Sequence, residues 1–281
     1  MPTRRESGEE TVWRPTPDWL VSRRHLMRLV LIAGSLFLCS CESVDKQAER
    51  SPEELVVAAA ANLTEAFHEI GDAFASESGV KVIYNFGATA QLTQQIENGA
   101  PFDLLAAADV AHIDQLVNSG KIIPGSRAVY ARGRLALWVP QKTGIEVRQL
   151  ADLLQPSVRI VAIANPEIAP YGAAAVEVLK KQHLWEGVEP KIVRAENVIA
   201  AKQLAATGNA DAVFTAYSLV LNDPGAIILI DDTRHSPLDQ ALGIVASSER
   251  QESARRFAEF ILRGRGREIL SQFGYALPQV P

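Results

Sequence analysis

The sequence predicts an α/β protein in which strands and helices alternate along most of the chain. Seven consecutive apolar residues at 55–61 have the length and composition of a buried strand, and an amphipathic helix is predicted to follow at 63–78. The same strand-then-helix order recurs with short connections, which is typical of parallel sheets flanked by helices. The composition, with 47% apolar and 22% charged residues, is ordinary for a globular protein.

Each element has its own local signal. The apolar residues of the first helix share one face, and Gly79 is placed to end it. Further strands are predicted at 80–86, 103–108, 129–139, 158–164, 191–195, 212–216, 227–230 and 242–246. Further helices are predicted at 91–98, 110–119, 172–182, 198–207, 250–262 and 266–272. The length of 281 residues allows one large domain or two lobes.

Charge and cysteine content exclude several classes of function. The formal net charge is −5, and residues 1–41 carry six Arg against four acids, so the rest of the chain carries −7. An acidic body argues against nucleic acid as a partner, and any anion site must be built locally. Cys39 and Cys41 are the only cysteines and the five His are scattered, so the body lacks the spacing of a zinc site. Motifs of serine hydrolases, phosphate-binding Lys loops and zinc proteases are absent, which argues against an enzyme.

Residues 1–40 are predicted to be a signal peptide. Arg23 and Arg24 precede ten residues without a charge at 29–38, a stretch too short to span a bilayer. The segment around the two arginines resembles a twin-arginine export signal, and general secretion is the open alternative. Leu38 stands three residues before Cys41, as in a lipobox, so we expect lipidation of Cys41 and a polar tether over 41–53. Cleavage without a lipid is the alternative.

Four segments can present free backbone N–H groups to a small anion, because each joins a predicted strand to the start of a helix. Their candidate binding residues are Asn62, Thr89, Tyr171 and Val198. Taken singly, each is explained by an ordinary helix cap or a packing residue. Together they form two pairs about a hundred residues apart, which fits two lobes that share one cleft.

Several motifs together resemble the periplasmic molybdate-binding protein family over residues 54–277. They are Ala-Ala-Ala-Asn62-Leu-Thr, Phe86-Gly-Ala-Thr89, Gln95-Ile-Glu-Asn-Gly-Ala-Pro-Phe-Asp103-Leu, Asn165-Pro-Glu-Ile-Ala-Pro-Tyr171-Gly and Phe273-Gly-Tyr275. The resemblance implies a two-lobed type II periplasmic-binding fold with mostly parallel sheets, with lobe 1 at 54–131 and 236–281 and lobe 2 at 132–235. It also implies a monomer without a cofactor, which binds molybdate or tungstate in the periplasm or on the outer face of the membrane. Its partners would be the membrane, through the lipid, and the permease and ATPase of an ABC transporter.

The same resemblance implies that Asn62, Thr89 and Tyr171 contact the ligand, and that Val198 does so through its backbone. One departure concerns a strand in which some members place a ligand Tyr, since Ala216 occupies that position here and Tyr217 follows it. A site made only of donors suits molybdate, a dianion that has no proton to donate at neutral pH.

Three alternatives stay open at this point. One is a receptor for another tetrahedral oxyanion such as sulfate. A second is a tungstate-selective receptor with Glu167 or Glu196 as an added ligand, although a surface position explains both residues more simply. The third is an enzyme that uses acid pairs, although solvated strand ends explain the candidate residues more simply: Asp103, Asp109, Asp231 and Asp232.

Overall fold

The structure is a computed structural model that describes residues 53–278. The predicted signal peptide, the predicted lipidation site Cys41 and the tether up to residue 52 lie outside the described residues. Within 53–278, no helix is both long enough and apolar enough to cross a membrane.

Ten strands, eight α-helices and several short 3-10 segments, of which the first is Ala61–Leu63, make up the described chain. The strands are β1 (Glu54–Ala60), β2 (Lys81–Gly87), β3 (Leu104–Ala106), β4 (Ala128–Arg132), β5 (Leu135–Pro140), β6 (Val161–Ala164), β7 (Ile192–Ala195), β8 (Ala212–Ala216), β9 (Gly225–Leu229) and β10 (Asp239–Ile244). The helices are α1 (Thr64–Ser78), α2 (Thr89–Glu97), α3 (Ala111–Asn118), α4 (Pro170–Lys181), α5 (Trp185–Val188), α6 (Val198–Thr207), α7 (Gln251–Arg263) and α8 (Arg265–Gln272).

The strands form two five-stranded sheets with the same topology, which confirms the two-lobed α/β fold. The order is β2-β1-β3-β10-β4 in one sheet and β7-β6-β8-β5-β9 in the other. Helices cover both faces of each sheet. In the first lobe, α1 and α7 pack on one face and α2 and α3 on the other. Burial on both faces explains why β3, β5 and β6 are apolar and buried throughout, without polar alternation.

Each sheet contains one reversed strand, which the alternation of strands and helices does not reveal. β10 runs antiparallel to β3 and β4, and β5 runs antiparallel to β8 and β9. These two strands are the ones that follow the two passages of the chain from one sheet to the other. β5 and β10 each start near the cleft, where the chain has just crossed between lobes, so they run away from it. The other strands of each sheet run toward the cleft.

The predicted single strand at 129–139 is wrong, because the chain breaks at Gly133-Arg134. Its two halves, β4 and β5, belong to different sheets. The backbone N–H of Gly133 donates to the carbonyl of Leu238, 2.9 Å away, so the two connecting segments lie side by side. Most other predicted elements exist, with ends shifted by a few residues.

Two aspartates occupy equivalent positions in the two lobes. Asp103 precedes β3 and accepts from the Val56 N–H at 2.7 Å and from Ser248 Oγ at 2.6 Å. Asp211 precedes β8 and accepts from the N–H groups of Arg159 and Ile160 at 2.7 and 2.9 Å. The sequence-based placement of Asp103 at a solvated strand end is therefore wrong, since the residue is 2% exposed and joins segments of the first lobe.

Candidate anion-binding site

One cavity lies between the lobes at the carboxyl ends of β1, β2, β6 and β7. It contains about 210 Å³ of atom-free space including its mouth. All four predicted site residues line it, together with small or uncharged neighbours: Ala60, Ala61, Asn62, Gly87, Ala88, Thr89, Ala108, Ala169, Pro170, Tyr171, Asn197 and Val198. Small side chains allow the backbone of each helix start to approach a ligand closely. None of these lining residues carries a charge.

Thr89 begins α2 and is buried. Its Oγ1 accepts from the backbone N–H of Ala108 at 3.1 Å, and this bond fixes the hydroxyl oxygen. Among the described residues, neither the hydroxyl proton nor the backbone N–H of Thr89 has an acceptor. Thr89 can therefore offer two donors to a ligand in the cavity.

Val198 occupies the same place in the second lobe, as the first residue of α6. The side chain of Asn197 caps this helix by accepting from the Ala200 N–H at 3.0 Å. This cap holds the first turn of α6. Within 53–278, the Val198 N–H has no acceptor. The helix start also carries partial positive charge, so it suits an anion.

Tyr171 lies in the first turn of α4 and is 2% exposed. Its Oη accepts from Gln240 Nε2 at 3.1 Å, and no described residue accepts its proton. Burial raises the pKa of Tyr171 well above the ordinary value, and the neighbouring Tyr275 adds to this shift. The phenol therefore stays protonated and remains a donor.

Gly133 provides the space for this arrangement. A Cβ atom at this position would lie 2.5 Å from Gln240 Nε2 and 2.9 Å from Tyr171 Cζ, and closer still to the Tyr171 hydroxyl. Any side chain at Gly133 would therefore displace the hydrogen bond between Gln240 and Tyr171.

The side-chain amide of Asn62, a candidate ligand contact, is bonded inside the protein. Its Nδ2 donates to Gln240 Oε1 at 3.0 Å and to Tyr275 Oη at 3.1 Å, so both protons are used inside the protein. Its backbone carbonyl accepts from Tyr275 Oη at 2.7 Å, and Ser218 Oγ lies within 3.1 Å of it. Asn62 is thus held rigidly at the start of the first helical segment.

The two glutamates considered as added ligands lie outside the cavity lining, as does Tyr217. Glu167 and Glu196 are exposed, and Glu196 accepts from Gln91 Nε2 at 3.0 Å. Tyr217 packs its ring under the Arg134 guanidinium at 5.2 Å. No group of three or more His, Cys, Asp or Glu in the described part of the chain could hold a metal cation.

Sequence reasoning missed Gln240, Tyr275 and Gly133 as parts of this site. Gln240 is fully buried beside a β-bulge in β10, a feature that often re-aims a side chain. The only signal in the sequence was the Phe-Gly-Tyr275 ending, which belongs to the resemblance.

The geometry is that of two lobes that share one small, uncharged cleft, and the comparisons with known proteins agree with this architecture. The model of the bacterial extracellular solute-binding protein family matches residues 55–276. This chain belongs to that family. Molybdate-binding proteins ModA from Rhodobacter capsulatus and Azotobacter vinelandii are each 35% identical to it. The first alignment covers 79% of this chain and 88% of the Rhodobacter protein. The second covers 90% of this chain and 98% of the Azotobacter protein.

A solved structure has the same fold. The periplasmic molybdate-binding protein of Azotobacter vinelandii superimposes with a TM-score of 0.76 at 31% identity, covering 80% of this chain and all of the other. The chain thus shares its architecture with relatives that are named for molybdate binding.

Proposed function

We propose that this protein binds molybdate outside the cytoplasm and delivers it to the permease and ATPase of an ABC importer. The cavity carries the proposal: the hydroxyl protons of Thr89 and Tyr171 and the N–H groups of Thr89 and Val198 are without acceptors among the described residues. No charged side chain lines this cavity. Two relatives named for molybdate, each at 35% identity, support the ligand.

The chemistry of these donors suits a fully deprotonated oxyanion. We propose that Thr89 and Tyr171 donate through their hydroxyls, and that Val198 donates through its backbone. Asn62 is expected to contribute its backbone N–H, because its amide protons are already used. Four helix starts spread the negative charge without a Lys or Arg, since oriented N–H groups carry partial positive charge. Hydrogen bonds to charged groups are stronger than neutral ones, at about 1.5–3 kcal/mol each.

Other oxyanions should bind less well, with one exception. Tungstate has the same charge and nearly the same size as molybdate, so it is expected to bind too. Sulfate is smaller and would leave some donors out of reach. Phosphate carries a proton at neutral pH, and that proton would face donors. We expect no catalytic turnover of any of these ions.

Titration calorimetry with molybdate, tungstate, sulfate and phosphate tests the proposal. Molybdate and tungstate should release heat, and sulfate and phosphate should not. Thr89→Val keeps the shape but removes the hydroxyl, so it should weaken molybdate binding about ten- to a hundredfold. Thr93→Val is the matched control, because Thr93 is buried one turn later in the same helix and donates to the Thr89 carbonyl outside the cavity lining. A stronger response to sulfate or phosphate, or turnover of a ligand, would overturn the proposal.

We also propose that the protein works as a lipid-anchored monomer in the periplasm or on the outer face of the membrane. Residues 1–40 would be removed and Cys41 lipidated, with 41–53 as the tether. Replacing Cys41 by Ala should release the protein into the soluble fraction and remove the lipid mass, whereas Cys39→Ala should not. Retention of Cys41→Ala in the membrane would contradict the anchor. The lobes are proposed as 54–131 with 236–281, and 132–235. The strands of the two sheets support this division, except that Arg132 still belongs to β4 of the first sheet.

A further inference from the structure

A buried chain of hydrogen bonds runs behind the cavity and ends at Tyr171. Its members are Asn62, Tyr275, Gln240 and Tyr171, and the last bond joins β10 of the first lobe to α4 of the second. Gln240 is 0% exposed and lies outside the cavity lining. It contacts two of the proposed binding residues, one from each lobe.

The direction of every bond in this chain follows from one backbone carbonyl. The Asn62 carbonyl oxygen can only accept, so Tyr275 Oη, 2.7 Å away, must donate its single proton to it. Tyr275 Oη must then accept from the Asn62 side chain at 3.1 Å, which identifies the amide nitrogen at that contact. The other proton of this nitrogen points at Gln240, so Gln240 presents its oxygen there, at 3.0 Å.

The orientation of Gln240 then determines what Tyr171 can do. With its oxygen facing Asn62, Gln240 turns its Nε2 toward Tyr171 Oη at 3.1 Å, and it donates. A phenol proton lies in the plane of the ring, and the oxygen has one other favourable in-plane position for a hydrogen bond. Because Gln240 fills that position, the Tyr171 proton must point elsewhere, and no described residue accepts it.

We propose that Gln240 is the positioning residue that sets ligand specificity, because its amide makes Tyr171 an obligatory donor. Tyr171 cannot accept a proton from a ligand without losing its bond to Gln240. An oxyanion that carries a proton therefore loses one partner, whereas a fully deprotonated dianion loses none. This inference rests on the proposed function, and it names the residue that enforces the donor-only character of the site.

A double-mutant cycle with Gln240→Met and Tyr171→Phe tests this role, with Kd measured calorimetrically for molybdate and for phosphate at pH 7. Methionine keeps the unbranched shape of Gln240 but donates nothing. Gln240→Met should weaken molybdate binding about ten- to a hundredfold and lower the preference for molybdate over phosphate at least about tenfold. In the Tyr171→Phe background the same change should alter this preference less than about twofold, because Gln240 acts through the phenol.

Ser253→Ala is the matched control. Ser253 is 5% exposed, lies in α7 and donates to Glu53, away from Gln240 and Tyr171. This variant removes a buried side-chain hydrogen bond but leaves every bond of Gln240 in place. Its preference for molybdate should match that of the wild type.

If Gln240→Met does not fold, Gln240→Asn carries the test, because its shorter amide cannot bridge Asn62 and Tyr171 and should lower the preference in the same way. An unchanged preference in a folded Gln240 variant, or additive effects in the cycle, would overturn this inference while wild-type molybdate binding stands. A wild-type protein that binds no oxyanion would overturn both the inference and the proposed function.

Discussion

Replacing Gly133 by Ala should weaken ligand binding although this residue does not line the cavity. The new Cβ would lie 2.5 Å from Gln240 Nε2, and non-bonded Cβ atoms essentially never approach a heavy atom closer than 3.0 Å. The amide must retreat by about 0.5 Å and the Tyr171 hydroxyl by more. Overpacking of this kind costs about 1–3 kcal/mol of unfolding free energy. A misplaced Tyr171 donor should also raise the Kd for molybdate about ten- to a hundredfold.

Urea denaturation and titration calorimetry measure the two effects separately. Gly125→Ala is the matched control, because a Cβ there meets no atom within 4 Å and the backbone is not left-handed. Adding Tyr171→Phe to Gly133→Ala removes the closest contact, so it should restore part of the stability but none of the affinity. Wild-type affinity in Gly133→Ala would refute the claim that the placement of Tyr171 matters for the ligand.

Three further predictions concern residues around the site and in the lobes. Asn197→Ala should cost about 1 kcal/mol of stability by removing the α6 cap. Asn197→Asp should keep the cap but bind molybdate more weakly than Asn197→Ala, because its charge repels the anion. Denaturation measures the loss of stability, and calorimetry measures the loss of affinity. Asp103→Asn should lower stability by about 1.5–3 kcal/mol with unchanged molybdate affinity, and an affinity loss would contradict a purely structural role. The hydrogen bond from Asp109 raises the pKa of His112, so this pair stabilises the fold below the ordinary His pKa of about 6.5 and the effect is lost as pH rises through the raised value. Urea denaturation of wild type and of His112→Gln checks this at pH 5.5 and 8.5. The stability advantage of the wild type should be larger at pH 5.5, by less than about 1 kcal/mol, since the pair is partly exposed.

Local sequence signals predicted the elements well because most of them are decided locally. Gly79 ends α1 in the left-handed conformation, with φ of 73°, as a helix-ending glycine should. The strand at 129–139 failed because its apolar pattern continues across Gly133, whereas the chain changes sheet there. An apolar pattern indicates that residues are buried, and both β4 and β5 have such a pattern. It does not indicate to which sheet a strand belongs. The reversed direction of β5 and β10 was invisible for the same reason.

The ligand-facing residues and the residues behind them differ in how far their partners lie along the chain. Thr89 and Val198 each begin a helix directly after a strand, so their free N–H groups follow from a local pattern. Gln240 reaches Asn62 across 178 positions and Tyr171 across 69. No local pattern marks such a residue, because an isolated Gln in a predicted strand is ordinary. The sequence could therefore indicate where donors lie, but not what orients them.

The repeated topology explains why a valine can be the counterpart of a threonine in this site. Thr89 and Val198 follow equivalent strands, β2 and β7, at the first position of equivalent helices. What the two lobes share is the direction of a backbone N–H, which any residue except proline can supply. Side chains at the two positions were free to diverge, and the sequence accordingly shows no internal repeat. The specificity of such a site must then come from the few side chains that enter it. The orientation of the Tyr171 hydroxyl, which Gln240 fixes from behind, should therefore affect discrimination between oxyanions more than any lining residue that contributes only its backbone.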